Sequence, residues 1–208
     1  LLPIPGYRKR LFAARHAGIE DDEAEAFFAM LGEARRPLLY VGGGVINGGA
    51  AAQLTEFATA FGVPVVTTLM GIGAFDTTHP LAMRMLGMHG AAFANYAVED
   101  CDLLIAVGAR FDDRVIGNPA HFASGNPQRR IIHIDVDPSS ISKRVKVDVP
   151  IVGNVREVLQ EMIKQLQTGK EKRDGEALKS WWSQIDLWRE RDCLKYEDRK
   201  STRLNSSH

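Results

Sequence analysis

Residues 103–115 read Leu103-Leu104-Ile105-Ala106-Val107-Gly108-Ala109-Arg110-Phe111-Asp112-Asp113-Arg114-Val115. Five apolar residues in a row, without polar alternation, fit a strand buried on both faces, the habit of parallel sheets. Four more runs share this character, at residues 38–41, 63–67, 131–134 and 149–152. Between them lie segments with helical spacing: 50–61, 91–99, a stretch from Ser139 onward, and 155–166, where Val155, Val158, Leu159, Met162, Ile163 and Leu166 form one stripe. Residues 23–32 read as a helix ahead of the first strand. This alternation predicts an α/β fold: a doubly wound, mainly parallel sheet with helices on both faces, Rossmann-like in plan.

At 208 residues with 45% hydrophobic content, the chain can bury one sizeable core. Its 26 basic and 26 acidic residues cancel, which argues against a nucleic-acid partner. No apolar run approaches the roughly 18 residues of a membrane span. The opening Leu1-Leu2-Pro3-Ile4-Pro5-Gly6-Tyr7 has neither an initiator Met nor a secretory pattern, and reads as a break inside a longer chain. Cys101 and Cys193 cannot by themselves form a disulfide framework or a zinc site, and a reducing, cytoplasmic setting is the simplest reading. Residues 168–175 (TGKEKRDG) have the composition of a linker. Residues 177–196 then read as a helix carrying Trp181, Trp182, Leu187 and Trp188, which must pack on something. The expected organisation is a domain over 1–167, a linker and helix over 168–198, and a tail over 199–208.

The candidate site residues follow the strands. Gly42, Gly43 and Gly44 close the first one, where glycines let a ligand approach the backbone and a helix start offers N–H groups to a phosphate. They read equally as tight-turn glycines. A G-x-G-x-x-G fingerprint fails because position 47 is Asn, and the second strand ends in Thr67-Thr68 rather than in an acid that would grip a ribose. Met70, in the next loop, suits either a flat ring or the core. His89, between Met88 and Gly90, is a ligand contact or a structural histidine; no second ligand stands at metal spacing. Arg110 and Arg114, interleaved with Asp112 and Asp113, can hold phosphates or form a surface ion-pair cluster. Asp135 ends another strand and can accept from ribose hydroxyls, while Asp137 before Pro138 caps the next turn or helix.

The blocks YVGGGV, TTLMGIGAFD, MLGMHG, ANYAVEDCDLLIAVGARFDDRVIG, IIHIDVDP and DVPIVGNV, in this order, resemble the central domain of the acetolactate (acetohydroxyacid) synthase catalytic subunit. The tail WWSQIDLWRERDCLKYED resembles the segment leading toward that family's C-terminal domain. The resemblance implies FAD in a structural role. Gly42, Gly43 and Gly44 would approach it, with Thr68, Leu69 and Met70 lining the second-strand side. Leu86, Gly87, Met88 and His89 would flank the flavin half. Gly108, Ala109, Arg110, Asp112, Arg114 and Val115 would continue the wall, and Asp135 with Val136 would meet the ADP half. Met88, His89, Asp113 and Arg114 would also lie near the substrate channel. Where the family often has Asp, this chain has Asn154, which can still hydrogen-bond to the cofactor.

The resemblance also implies a parent enzyme that condenses two 2-oxo acids with thiamine diphosphate and Mg2+, as a homodimer or higher oligomer with a small regulatory subunit. Its thiamine-activating glutamate belongs to an N-terminal domain and its GDG motif to a C-terminal one; no GDG occurs in this sequence. No catalytic residue and no metal site is therefore expected here, and the piece alone should be inactive. The closing RKSTRLNSSH resembles a translated adapter sequence rather than enzyme. Without neighbouring domains the chain should expose packing surfaces, Trp181, Trp182 and Trp188 among them, and be poorly soluble. Two other readings are a different FAD-keeping thiamine enzyme, such as glyoxylate carboligase, and a non-catalytic, sirtuin-like nucleotide-binding module.

Overall fold

The apolar runs form strands β1 (Pro37–Val41), β2 (Val65–Thr67), β4 (Leu103–Val107), β5 (Arg130–Asp135) and β6 (Val149–Val152) in a computed structural model that describes residues 18–167 and 175–191. A further strand, β3 (Ala82–Met85), has no counterpart in the sequence reading. The six join in one all-parallel sheet of order β3-β2-β1-β4-β5-β6. The order reverses between β1 and β4, so the chain winds outward from the centre in both directions, and a crevice opens beyond the ends of these two strands.

Every residue of β1 and β4 is buried, because the strands alternate between two cores. Leu39, Val41, Ile105 and Val107 face helices α1 (Asp21–Glu33), α3 (Ala51–Phe61) and α7 (Val155–Gln167). There Phe27, Phe28, Phe57 and Phe61 form an aromatic cluster, and Val155, Val158, Leu159, Met162 and Ile163 supply the stripe of α7. Leu38, Tyr40, Leu104 and Ala106 face α4 (Ala92–Asp100) and α8 (Gly175–Glu190). Short α2 (Gly43–Asn47), α5 (Asp113–Ile116) and α6 (Pro119–Gly125) decorate the ends of β1 and β4. Among the described residues no helix is long and apolar enough to cross a membrane.

Three sequence expectations change. The second strand starts at Val65, not 63, since Pro64 has no N–H to give the ladder. No helix follows Ser139: Asp137 accepts from the Ser139 amide and hydroxyl at 2.9 and 2.8 Å, closing a turn. The tryptophans do not wait for an absent neighbour. Trp181 is 1% exposed and donates its indole N–H to the Pro37 carbonyl at 3.1 Å, Trp188 is buried, and Trp182 donates to the Gly62 carbonyl at 2.9 Å. Leu187, by contrast, is exposed. The 168–174 linker, Cys193, the helix beyond residue 191, the 199–208 tail and residues 1–7 lie outside the described residues.

Candidate nucleotide cleft

Each loop at the carboxyl ends of the strands hangs on a backbone bond that continues the ladder by one step. Gly153 N–H donates to Asp135 O at 3.1 Å, Gly108 to Ile134 O at 2.8 Å and Gly42 to Val107 O at 3.0 Å. Thr68 donates to Val41 O at 2.8 Å, and Leu86 to Thr67 O at 3.1 Å. Five loops are thus set side by side around the switch point. The loops after β1, β2, β4, β5 and β6 enclose a cleft of about 720 Å³, the size of a cofactor site, and the β3 loop lies outside it.

Its floor is a backbone-to-backbone contact. Gly108 has φ +54°, and a Cβ there would lie 2.7 Å from the Cα of Gly44, whose own amide donates to Gly108 O at 2.9 Å. Gly42 meets Ala109 in the same way. These glycines are thus required by the meeting of two loops. The amides of Gly44 and Val45 are engaged by Gly108 O and Gly42 O, and α2 is only five residues long.

The wall beyond β4 is held by an aromatic anchor. Phe111 is buried, stacked on Tyr40 with centroids 5.1 Å apart and edge-on to His133 at 5.4 Å. Tyr40 donates its hydroxyl to Arg110 O at 3.1 Å; burial, then the Asp112 charge, push the phenol pKa well up, keeping it a donor. Arg110 and Asp112, flanking Phe111, line the cleft and form an ion pair at 3.7 Å. Arg114 is exposed on the same wall with no ion pair among the described residues, so the four-residue charge cluster supplies one pair rather than two.

Asp135 lines the other side, one oxygen accepting the Asp137 amide at 2.8 Å. Hydrogen bonds from Ser139 hold the Asp137 carboxyl below its usual range. Asn154 caps α7, accepting the Arg156 amide at 3.0 Å, and also faces the cleft. Behind Asp135, His133 is fully buried, and neither ring nitrogen makes a well-formed hydrogen bond among the described residues. Burial lowers its pKa below the ordinary 6.5, opposed by the Asp135 carboxylate, 3.9 Å away, and by the Ala109 backbone, which acts without forming an aligned hydrogen bond.

The unfolded chain therefore binds a proton near pH 6.5 that the folded chain refuses. Stability from this group is full above 6.5 and is lost as pH falls below it. Melting temperature should accordingly drop from about pH 7 to 5 in the native chain, and the slope should flatten in His133→Gln. Parallel profiles for the two proteins would show that His133 does not carry the effect.

The structure brings together Gly42, Gly43, Gly44, Thr68, Leu69, Met70, Gly108, Ala109, Arg110, Asp112, Asp113, Arg114, Val115, Asp135, Val136 and Asn154 on one cleft. Leu69, Met70 and Val136 expose apolar surface to it (69, 72 and 55% exposed), unusual for such residues and suited to a flat ring. Leu86, Gly87, Met88 and His89 do not line it. Leu86 and Gly87 are buried behind Arg114 and Val115, with Met88 and His89 exposed alongside. Sequence reasoning missed Asn47, Gly48, Ser140 and Val155. Among the described residues, no group of three His, Cys, Asp or Glu side chains can hold a metal.

Residues 24–162 match the family model described as the thiamine pyrophosphate enzyme central domain. The acetolactate synthase isozyme 3 large subunit of Escherichia coli is 46% identical over 164 residues, 79% of this chain and 28% of that protein. A probable acetolactate synthase large subunit of Methanocaldococcus jannaschii is 50% identical over 137 residues, 66% of this chain and 23% of that protein. An acetolactate synthase of Arthrospira platensis is 51% identical over 139 residues, 65% of this chain and 24% of that protein. The chain spans about a quarter of the length of these relatives.

Proposed function

Since this chain belongs to the central-domain family of thiamine pyrophosphate enzymes, we propose that it is the FAD-binding part of an acetolactate synthase large subunit. The observation that carries this reading is the donor set of the cleft at the switch point. Arg110 and Arg114 supply guanidinium groups for a diphosphate, the Asp135 carboxylate suits a ribose, and Leu69, Met70 and Val136 offer apolar surface to a ring. FAD held here serves as structure, ordering the five loops. The usual acid at the end of β2 is replaced by Thr67-Thr68, so Asp135 takes the ribose role.

The parent enzyme joins two pyruvates, or pyruvate and 2-oxobutanoate, in branched-chain amino-acid biosynthesis in the cytoplasm. Thiamine diphosphate with Mg2+ supplies the electron sink, held by residues other than those of this cleft. This chain's share is to support the substrate channel with Asp113 and Arg114, with Met88 and His89 beside them. That the relatives are large subunits supports a small-subunit partner and an oligomeric parent. The isolated chain is inactive.

Fluorescence titration with FAD tests the wall. Arg110→Ala and Arg114→Ala should each weaken affinity by about 10-fold or more, as expected when a charged hydrogen-bond donor is lost, and added salt should weaken the native chain more than either variant. Unchanged affinity in both variants would remove the two arginines from the cofactor site.

A further inference from the structure

We propose that Asn95, which lies on α4 outside the cleft, is a positioning residue for the Arg114–Val115 wall. Its side-chain amide brackets one residue from both sides: Asn95 Oδ1 accepts the Gly87 N–H at 2.7 Å, and Asn95 Nδ2 donates to Gly87 O at 3.0 Å. This pairing satisfies both backbone groups of a residue that belongs to no strand or helix. Gly87 has φ +95°, and a Cβ there would stand 2.9 Å from Arg114 O and 3.1 Å from Val115 Cα. The bracketed peptide therefore lies directly against the cleft wall. The next residue completes the tie, with Met88 N–H donating to Arg114 O at 3.0 Å.

The 86–90 loop is consequently tied at three points. Leu86 is bonded to the end of β2, Gly87 to Asn95, and Met88 to Arg114. Within the loop, Gly90 N–H returns to Gly87 O at 2.9 Å, so that one carbonyl takes both the turn bond and the Asn95 bond. Only the Asn95 tie comes from a side chain of a packed helix, α4, whose Phe93, Ala94, Ala97 and Val98 are buried. It transmits the fixed position of α4 to Arg114. The Asn95 bracket thus holds the loop that carries Met88 and His89 beside Arg114.

Amide hydrogen exchange on the 208-residue chain tests the bracket without any ligand. Asn95→Ala should speed exchange at Met88 and across 115–117 by about 10-fold or more, with amides of 103–107 unchanged. Asn95→Asp, which keeps the acceptor and loses the donor, should give a smaller rise at the same sites. Unchanged rates at 88 and 115–117, or a uniform rise throughout, would overturn the proposal. The consequence for flavin rests on the reading above. Asn95→Ala should weaken FAD about 10-fold in the native background and less than about 2-fold in the Arg114→Ala background. Equal losses in both would show that Asn95 does not act through Arg114. A native chain that takes up no flavin would defeat the cofactor reading, while the exchange rates would still decide the role of Asn95.

Discussion

Trp181→Ala should lower folding stability by about 3–5 kcal/mol, the usual cost of emptying a large aromatic site in a packed core. Trp181 is among the largest fully buried side chains, meets Trp188 edge-on at 5.7 Å, and donates to Pro37 O at the start of β1. Truncation thus removes packing volume and also leaves a central-strand carbonyl without its partner. Leu187→Ala, on the exposed side of the same helix, serves as the control and should change stability by less than about 0.5 kcal/mol. Urea unfolding of both variants checks the pair; a Trp181→Ala loss under about 1 kcal/mol would mean that α8 is not part of the folded core. The same packing bears on solubility, because Trp181 and Trp188 are covered within the chain itself. A chain ended at residue 167 should give less soluble protein than the whole chain, because it uncovers the face that Trp181, Ile185 and Trp188 cover.

The second large effect is expected at the floor of the cleft. Gly108→Ala places a Cβ on a residue with φ +54°, which alone costs about 1–2 kcal/mol, and drives it into the Gly44 backbone at 2.7 Å. Neither loop can yield cheaply, since each is hydrogen-bonded to a neighbouring strand end. Stability should fall by at least about 2 kcal/mol, and FAD uptake should be lost with it. Gly49→Ala separates the two causes. That residue has φ +60° but nothing within 4 Å of its Cβ, so it should show the conformational cost alone and keep the cleft. Equal effects of the two substitutions on stability and on flavin uptake would contradict the packed-floor account.

The strands were legible where burial on both faces leaves an unbroken apolar run. Leu103–Val107 matches its expected bounds on that ground, Val149–Val152 matches them as an edge strand with Pro150 exposed, and β1 and β5 extend by a residue at their ends. Strand β3 was not legible because Ala-Met-Arg-Met has neither a β-branched residue nor an apolar run. It is an edge strand, with exposed Arg84 at φ +62° and a register shift against β2. The expected helix after Ser139 had a cap signal, Asp137-Pro138, and only Ile141 and Val145 at helical spacing behind it, and the aspartate closes a turn instead.

The same logic divides the cleft. Gly42, Gly43, Gly44, Met70, Arg110, Asp112, Asp113, Arg114 and Asp135 stood out from their place after an apolar strand, and Thr68, Leu69, Gly108, Ala109, Val115, Val136 and Asn154 came from the family resemblance. The ends of β1, β2, β4, β5 and β6 bring them to one cleft. Asn47, Gly48, Ser140 and Val155 reach the cleft one step later, from the end of α2, the turn after β5 and the start of α7. No local spacing marks them. The bracket of Asn95 on Gly87 was likewise invisible, since an asparagine inside a helical segment carries no sign of what its amide will meet.

FAD binding in this cleft is tested by the visible absorption spectrum of the purified 208-residue chain. After FAD is added and the excess removed, the protein should keep a flavin band at about one flavin per chain. A folded chain, shown by its cooperative melt, that keeps no flavin band would mean that the cleft does not hold FAD.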